Sequence, residues 1–190
     1  MKTLTVVAMG ALLLLFFFQC CPSETTEVRP PGEEAPAPLP VEEPTPAPVG
    51  LSPDNPVPLG YALVASNGAV ITVQGIRARG EEATRLALEW NMFNNPDPGN
   101  EYVILSASVA YEGGGYADTL SISDYDFKVA VGTLIFDPPF VHMEGNELEG
   151  EMLPGGRIDG LLVFEVPQGS TGIILIYDEL LWDSYYFATE

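Results

Sequence analysis

The amino-acid sequence predicts an all-β fold, an antiparallel β-sandwich, and three observations carry that prediction. Beyond Asp54, seven or more short segments alternate apolar and polar residues with the two-residue period of a half-buried strand. Clusters rich in Gly, Pro, Asn and Asp separate them, among them NNPDPGN, YEGGGY, DPP, LPGG and PQGS. No stretch is long enough to supply the helices that cover a parallel sheet, and at this length a sandwich is favoured over a barrel.

The elements follow in chain order. LVASNGAVITV sets Asn67–Gly68 between β-rich runs, a strong hairpin signal because both central turn positions need φ > 0. Ile71 and Val73 share a face, which Ile76 and Ala78 continue only if one residue is skipped; Gly75 is the natural place for that bulge. TRLALEW puts Leu86, Leu88 and Trp90 on one strand face, although GEEATRLALEW and DELLWDS are also the two short stretches that could pass for helices. EYVILSASVAY points Val103, Leu105, Ala107 and Val109 inward and Ser106 and Ser108 outward. YDFKVAV alternates Phe127, Val129 and Val131 against Asp126 and Lys128, and GRIDGLLVFEV alternates Ile158, Leu162, Phe164 and Val166 against Asp159 and Glu165. TGIILIYD is apolar on both faces, as in a central strand covered on either side, and SYYFA closes the series.

In this order, NPDPGNEYVILSASVAY, SDYDFKV, GTLIFDPP, ELEGEMLPGGRIDGLLVFEVPQG and ILIYD resemble a bacterial family of secreted lipoprotein domains. The stretch Pro154–Pro167 is the most specific part, and the resemblance spans Asn55–Phe187. It implies a telokin-like, immunoglobulin-like β-sandwich displayed outside the membrane, with no assigned activity and no catalytic residues. The Cys…Trp…Cys arrangement of antibody domains is absent, so no inter-sheet disulfide is expected.

The amino-terminal third has another character. Met1–Lys2 precede an uncharged apolar run, Thr3–Phe18, of signal-peptide length and short of the about 20 residues a spanning helix needs. The only two cysteines, Cys20 and Cys21, are adjacent, so they cannot easily close a disulfide and fall short of the four ligands of a structural zinc site. A cysteine after such a run resembles the lipobox of bacterial lipoproteins, in which the thiol is acylated. Cys21 is the expected lipidation site, since Cys20 before it is small; Cys20, preceded by the larger Gln19, is the alternative. An uncleaved anchor helix is the competing reading, and both place the remainder on the extracytoplasmic side of the cell membrane. Twelve of the 18 prolines lie between Pro22 and Pro58 together with six glutamates, a composition that packs no core and favours an extended spacer. The expected division is a signal peptide over 1–20, a disordered Pro/Glu-rich tether over 21–53 and the sandwich over 54–190.

Seven basic residues against 27 acidic ones give a net charge of −20, which excludes nucleic acid and disfavours docking on anionic lipid. No G-x-S-x-G, P-loop, HExxH or EF-hand pattern occurs, and His142, the only histidine, reads as a surface residue. An enzyme is therefore not expected, nor a cofactor. In EGNELEGEM, Glu147, Glu149 and Glu151 would share one face of a strand beside Glu144. A charged edge strand that resists aggregation is the simpler account, a Ca²⁺ site the sharper one. Of the aromatics Tyr111, Tyr116, Tyr125, Trp182, Tyr185 and Tyr186, alternation sends about half to the core. Tyr116 beside the glycine-rich tip and Trp182 in LLWDSYY are the expected exposed ligand contacts. The reading is a lipid-anchored interaction or structural module with a protein or carbohydrate partner; the alternative is a carbohydrate- or solute-binding domain using aromatics at a sandwich end.

Overall fold

In the computed structural model the described residues are 48–114, 117–141, 143, 145–179 and 183–190. The strands are β1 (Ala62–Val64), β2 (Ala69–Arg79), β3 (Asn100–Tyr111), β4 (Leu120–Ile122), β5 (Phe127–Val131), β6 (Leu134–Phe136), β7 (Gly150–Met152), β8 (Arg157–Pro167), β9 (Ile173–Asp178) and β10 (Ser184–Ala188). Among the described residues one α-helix occurs, α1 (Glu81–Trp90), and it joins β2 to β3. Two four-stranded sheets form, ordered β1-β2-β3-β8 and β10-β9-β5-β6, with β4-β7 as a two-stranded flap, and every ladder is antiparallel. The predicted immunoglobulin-like sandwich is thus the observed architecture.

The inward residues of both sheets meet in one cluster. Ile71 and Val73 of β2, Val103, Leu105 and Val109 of β3, and Leu162, Phe164 and Val166 of β8 pack against Phe127 and Val129 of β5 and Ile173, Leu175 and Tyr177 of β9. All are buried. Each such large apolar side chain contributes about 1.5–3 kcal/mol when fully withdrawn from water. The central position of β9 explains why TGIILIYD is apolar throughout: Ile176 is also buried, on the face opposite Leu175.

Two of the sheet edges are covered by the chain itself. Along β10, Val57 bridges Phe187, and the Tyr186 N–H donates to the Gly50 carbonyl at 2.8 Å. Contact with the second sheet therefore begins upstream of Asp54. Along β8, Glu147 bridges Leu161, whose N–H donates to the Asn146 carbonyl at 2.8 Å. This crossing is so close that a Cβ on Gly160 would sit 2.7 Å from the Leu148 Cα and backbone nitrogen.

A turn forms at Asn67–Gly68, but as a three-residue loop in place of the expected two-residue one. The Gly68 N–H donates to the Ala65 carbonyl at 3.0 Å, so Ser66 and Asn67 are the central residues and Gly68, at φ 84°, closes the loop. Its side chains tie the first sheet to the second. Asn67 Nδ2 donates to the Tyr177 hydroxyl at 2.7 Å, and the Ser66 N–H donates to the Tyr185 hydroxyl at 3.0 Å. The Ser66 hydroxyl donates to Glu179 at 2.7 Å. Tyr177 and Tyr185 lie stacked with ring centroids 6.3 Å apart.

Four sequence expectations are corrected. TRLALEW is a helix: Ala83, Leu86, Ala87 and Trp90 recur at helical spacing and pack on the first sheet, whereas Leu88 is exposed. Its Glu, Ala, Leu and Arg residues are good helix formers, Glu81 and Glu82 suit the positive end of the helix dipole, and Asn94 Nδ2 caps the Ala87 carbonyl at 3.0 Å. β2 carries two register shifts, one between Val73 and Gly75 as anticipated and a second between Ile76 and Ala78, so Ala78 faces the helix instead of the sandwich core. Ser108 is buried. The glutamate row does not form, because the strand covers only Gly150–Met152. Glu147 accepts from the Met143 and Gly145 N–H groups at 2.9 and 2.6 Å, and Glu151 accepts from Thr119 Oγ1 at 2.7 Å.

Gly160→Ala is expected to lower the stability of the fold by about 1–3 kcal/mol through overpacking against Leu148, read by urea denaturation. Burial pushes the Tyr177 hydroxyl from 10.0 up to about 12. The folded state therefore retains a proton that the unfolded chain releases; this stabilisation is complete below pH 10 and lost as pH rises through 12. In Tyr177→Phe the fall in stability across that alkaline window should be smaller by about 1–2 kcal/mol, while at pH 7 the variant costs about 1 kcal/mol because Asn67 loses its acceptor.

Candidate functional site

The outer face of the first sheet is covered along part of its length only. Outward residues of β3 run Tyr102, Ile104, Ser106, Ser108, and their partners on β8 run Glu165, Val163, Leu161, Asp159. Where the residues are apolar, α1 and the segment around Val141 and Met143 lie over them, burying Ala78, Ala83, Ala87, Tyr102, Ile104 and Val163 as a second cluster. At Ser106 that cover thins and the residue is half-buried, while Ser108, bonded by Gln74, stays buried. The last turn of α1 then forms one wall, through Leu86 and Trp90, of a groove of about 580 Å³. Gly145 and Asn146 line it too, with Ser106 and Leu161 from the sheet.

The two bulges of β2 decide what faces this groove. Between Val73 and Gly75 the extra residue is Gln74, and between Ile76 and Ala78 it is Arg77; both line the groove. Bulges insert an unpaired residue that re-aims a side chain. Here two of them deliver an amide and a guanidinium to the same place. Gln74 Nε2 donates to Ser108 Oγ at 3.1 Å, and Asn146 Nδ2 donates to the Met143 carbonyl at 2.9 Å. These bonds orient the two amides. Asp159, at the open end, is paired with Arg157 at 2.7 Å, and that guanidinium holds its carboxyl below the usual range.

Arg77 differs from every other cation of the domain. Arg79 pairs with Glu101, Arg85 with Glu89, Lys128 with Asp178 and Arg157 with Asp159. Among the described residues Arg77 has no carboxylate partner, although the sequence from Asp54 onward carries 21 acidic side chains. It is also exposed.

Two further cavities are less suggestive. One of about 610 Å³ on the opposite flank of α1 is lined by Leu88, Pro96 and Gln168, with Arg85, Glu89 and Glu101 already committed to ion pairs. Another of about 310 Å³ gathers Asp124, Glu147 and Glu149 beside the exposed Tyr125 and Phe140. Burial there raises the Asp124 carboxyl above its usual value, with Glu149 adding to the rise. No cluster of three metal-ligating side chains occurs among the described residues.

Of the aromatics marked in the sequence, Tyr111 and Tyr185 are core, Tyr125 is exposed and Tyr186 is half-buried. Tyr116, Trp182, His142 and Glu144 lie outside the described residues, as do Cys20 and Cys21. Sequence reasoning missed Gln74, Arg77, Trp90 and Asn146. The signals were present in the second skip of the β2 alternation and in the change from Tyr102 and Ile104 to Ser106 and Ser108.

The family described as "Domain of unknown function (DUF4352)" matches residues 64–187, from the last residue of β1 to β10. The chain belongs to the DUF4352 family. Apart from the first two residues of β1 and the last of β10, both sheets lie inside the match, as do α1 and every groove residue of this DUF4352 domain. No curated protein matches the sequence significantly. Among solved structures, the yjhA protein of Bacillus subtilis is similar at 15% identity and a TM-score of 0.50, over 70% of this chain and 99% of that one. The ycdA protein of Bacillus subtilis is 13% identical with a TM-score of 0.47, over 66% of this chain and 38% of that one. The secreted protein MPT63 of Mycobacterium tuberculosis is 12% identical with a TM-score of 0.47, over 70% and 97%. The yjhA likeness speaks to the fold of the DUF4352 domain.

The contrast between the two neighbouring arginines is measurable. Arg79→Ala removes the guanidinium that bonds Glu101 at 2.8 Å and the Ser170 carbonyl, and should cost about 1–2 kcal/mol. Arg77→Ala should change stability by less than about 0.5 kcal/mol, since it breaks nothing in the fold. Equal losses in thermal or urea denaturation would contradict this placement.

Proposed function

We propose that the protein is a lipid-anchored extracytoplasmic binding module, without enzymatic activity, whose acidic sandwich domain recognises its partner through the groove on the outer face of the first sheet. The observation that carries the binding reading is Arg77: a cation without a carboxylate partner among the described residues of a strongly acidic domain, placed by a bulge into a groove with Trp90. An exposed Arg that supports no part of the fold is most simply explained by what it meets outside the fold.

The anchor rests on the sequence. Thr3–Phe18 followed by Cys20–Cys21 supports acylation at Cys21, with Cys20 the alternative. Acyl chains would supply membrane affinity at about 0.8 kcal/mol per buried CH₂. The Pro/Glu-rich stretch then supplies reach, so that the groove meets its partner away from the lipid surface. The excess of acid argues against nucleic acid as a partner and against close approach to anionic headgroups.

Fractionation tests this reading. The wild-type chain should be recovered with the membrane, lacking its first residues and carrying acyl mass, and Cys21→Ala should shift it to the soluble extracytoplasmic fraction. A membrane-bound chain of unmodified mass retaining Met1 would overturn the lipid anchor. The same envelope extract should supply material retained by the immobilised wild-type chain and not by the Arg77→Ala, Trp90→Ala double variant; equal retention would overturn the groove as the recognition surface.

A further inference from the structure

We infer that the groove takes a sugar acid: a short saccharide bearing a carboxylate, with that carboxylate on Arg77 and a sugar face against Trp90. This rests on the reading of the domain as a binding module and goes on to name the chemistry it reads.

Each groove residue contributes one requirement. Arg77 offers an uncommitted guanidinium, whose planar fork matches a carboxylate in bidentate fashion. Gln74 and Asn146 have each used an amide N–H inward, on Ser108 and the Met143 carbonyl. Their side-chain carbonyl oxygens remain as acceptors, which suit the hydroxyl donors of a polyol. The Ser106 hydroxyl adds a group that both donates and accepts. Trp90 and Leu86 form an apolar wall, and an aromatic face is a good platform for the C–H side of a sugar ring. A volume of about 580 Å³ lies within the range of small-molecule sites, about 300–1,000 Å³.

Two alternatives fit worse. An extended peptide reads a sheet through a run of free backbone groups, and beside the groove that run is interrupted. β3 is paired on both sides, and the outer edge of β8 at Leu161 is already taken by Asn146 and Glu147. A dense polyanion would meet the field of a domain with only five basic residues among 21 acidic ones. A short oligomer engages Arg77 at contact range and carries little charge into that field.

The test uses the full-length chain in neutral detergent, titrated by calorimetry with di- and trigalacturonate and, in parallel, with the neutral galactose oligomers of equal length. Galacturonate should bind at least tenfold more tightly than its neutral counterpart, and Arg77→Ala should lose at least tenfold. Arg77→Lys should recover part of that loss, and Trp90→Ala should weaken both sugars together, with melting curves showing each variant folded. If the folded wild-type protein binds the two series equally, the carboxylate assignment is overturned and the binding-module reading stands. If it binds neither, or if Arg77→Ala binds like wild type, the sugar-acid site is overturned. If an acidic peptide displaces nothing but itself binds in an Arg77-dependent way while galacturonate does not, the groove serves a protein partner and the inference fails without the module.

Discussion

Everything in this domain depends on β3 being buried from both sides along part of its length. Its inward residues close the sandwich core, and its outward Tyr102 and Ile104 carry the helix. A strand covered on one face needs only alternation; a strand covered on both must stay in phase with two layers at once. β2 pairs with β3 along this whole stretch and meets the demand with two bulges. The inserted residues Gln74 and Arg77 are what that adjustment leaves over. They have no ladder partner, and both end in the groove. Packing and recognition are coupled here: the device that lets β2 follow a doubly buried neighbour also furnishes the polar groups of the site.

Charge follows a related logic. The domain holds few cations, and four of the five sit in ion pairs at sheet ends, along α1 or across β5 and β9. Apart from the part-buried Arg79–Glu101, these pairs are well exposed and contribute little to stability, about 0–1 kcal/mol each. Their consequence is that the cationic surface is almost wholly neutralised, so the one uncommitted guanidinium becomes the single strong anion-recognition element among the described residues. An acidic shell with one open cation discriminates by contact geometry, because long-range attraction for anions is absent.

The sequence displayed the sandwich clearly, because period-two alternation on β3, β5 and β8 has one dominant reading when one face is buried. Gly75 marked the first bulge, and Asn67–Gly68 marked the turn. The helix was ambiguous: TRLALEW satisfies a two-residue period through Leu86, Leu88 and Trp90 and a helical period through Ala83, Leu86, Ala87 and Trp90, and only the presence of an apolar sheet face to receive the alanines decides between them. The groove was less legible still. Trp90 fits a strand face, and nothing in the sequence singles out Arg77 or Asn146; nothing local in the chain says that three separated segments converge. The glutamates of EGNELEGEM misled for the opposite reason. Their spacing suits a strand, but Glu147 is consumed in closing its own loop on the Met143 and Gly145 amides, which ends the strand before it forms.

The cover that α1 lays over the first sheet thins between the buried Ile104 and the half-buried Ser106, opening the floor beside Trp90 to solvent at Ser106. Single cysteines at these two positions, in a chain whose Cys20 and Cys21 are replaced by serine, test it through labelling by a small thiol reagent under native conditions. The cysteine at 106 should react at a rate within about tenfold of the unfolded chain, while that at 104 should react only as fast as the domain opens globally. Equal protection at both positions, or fast labelling at 104, would contradict the account.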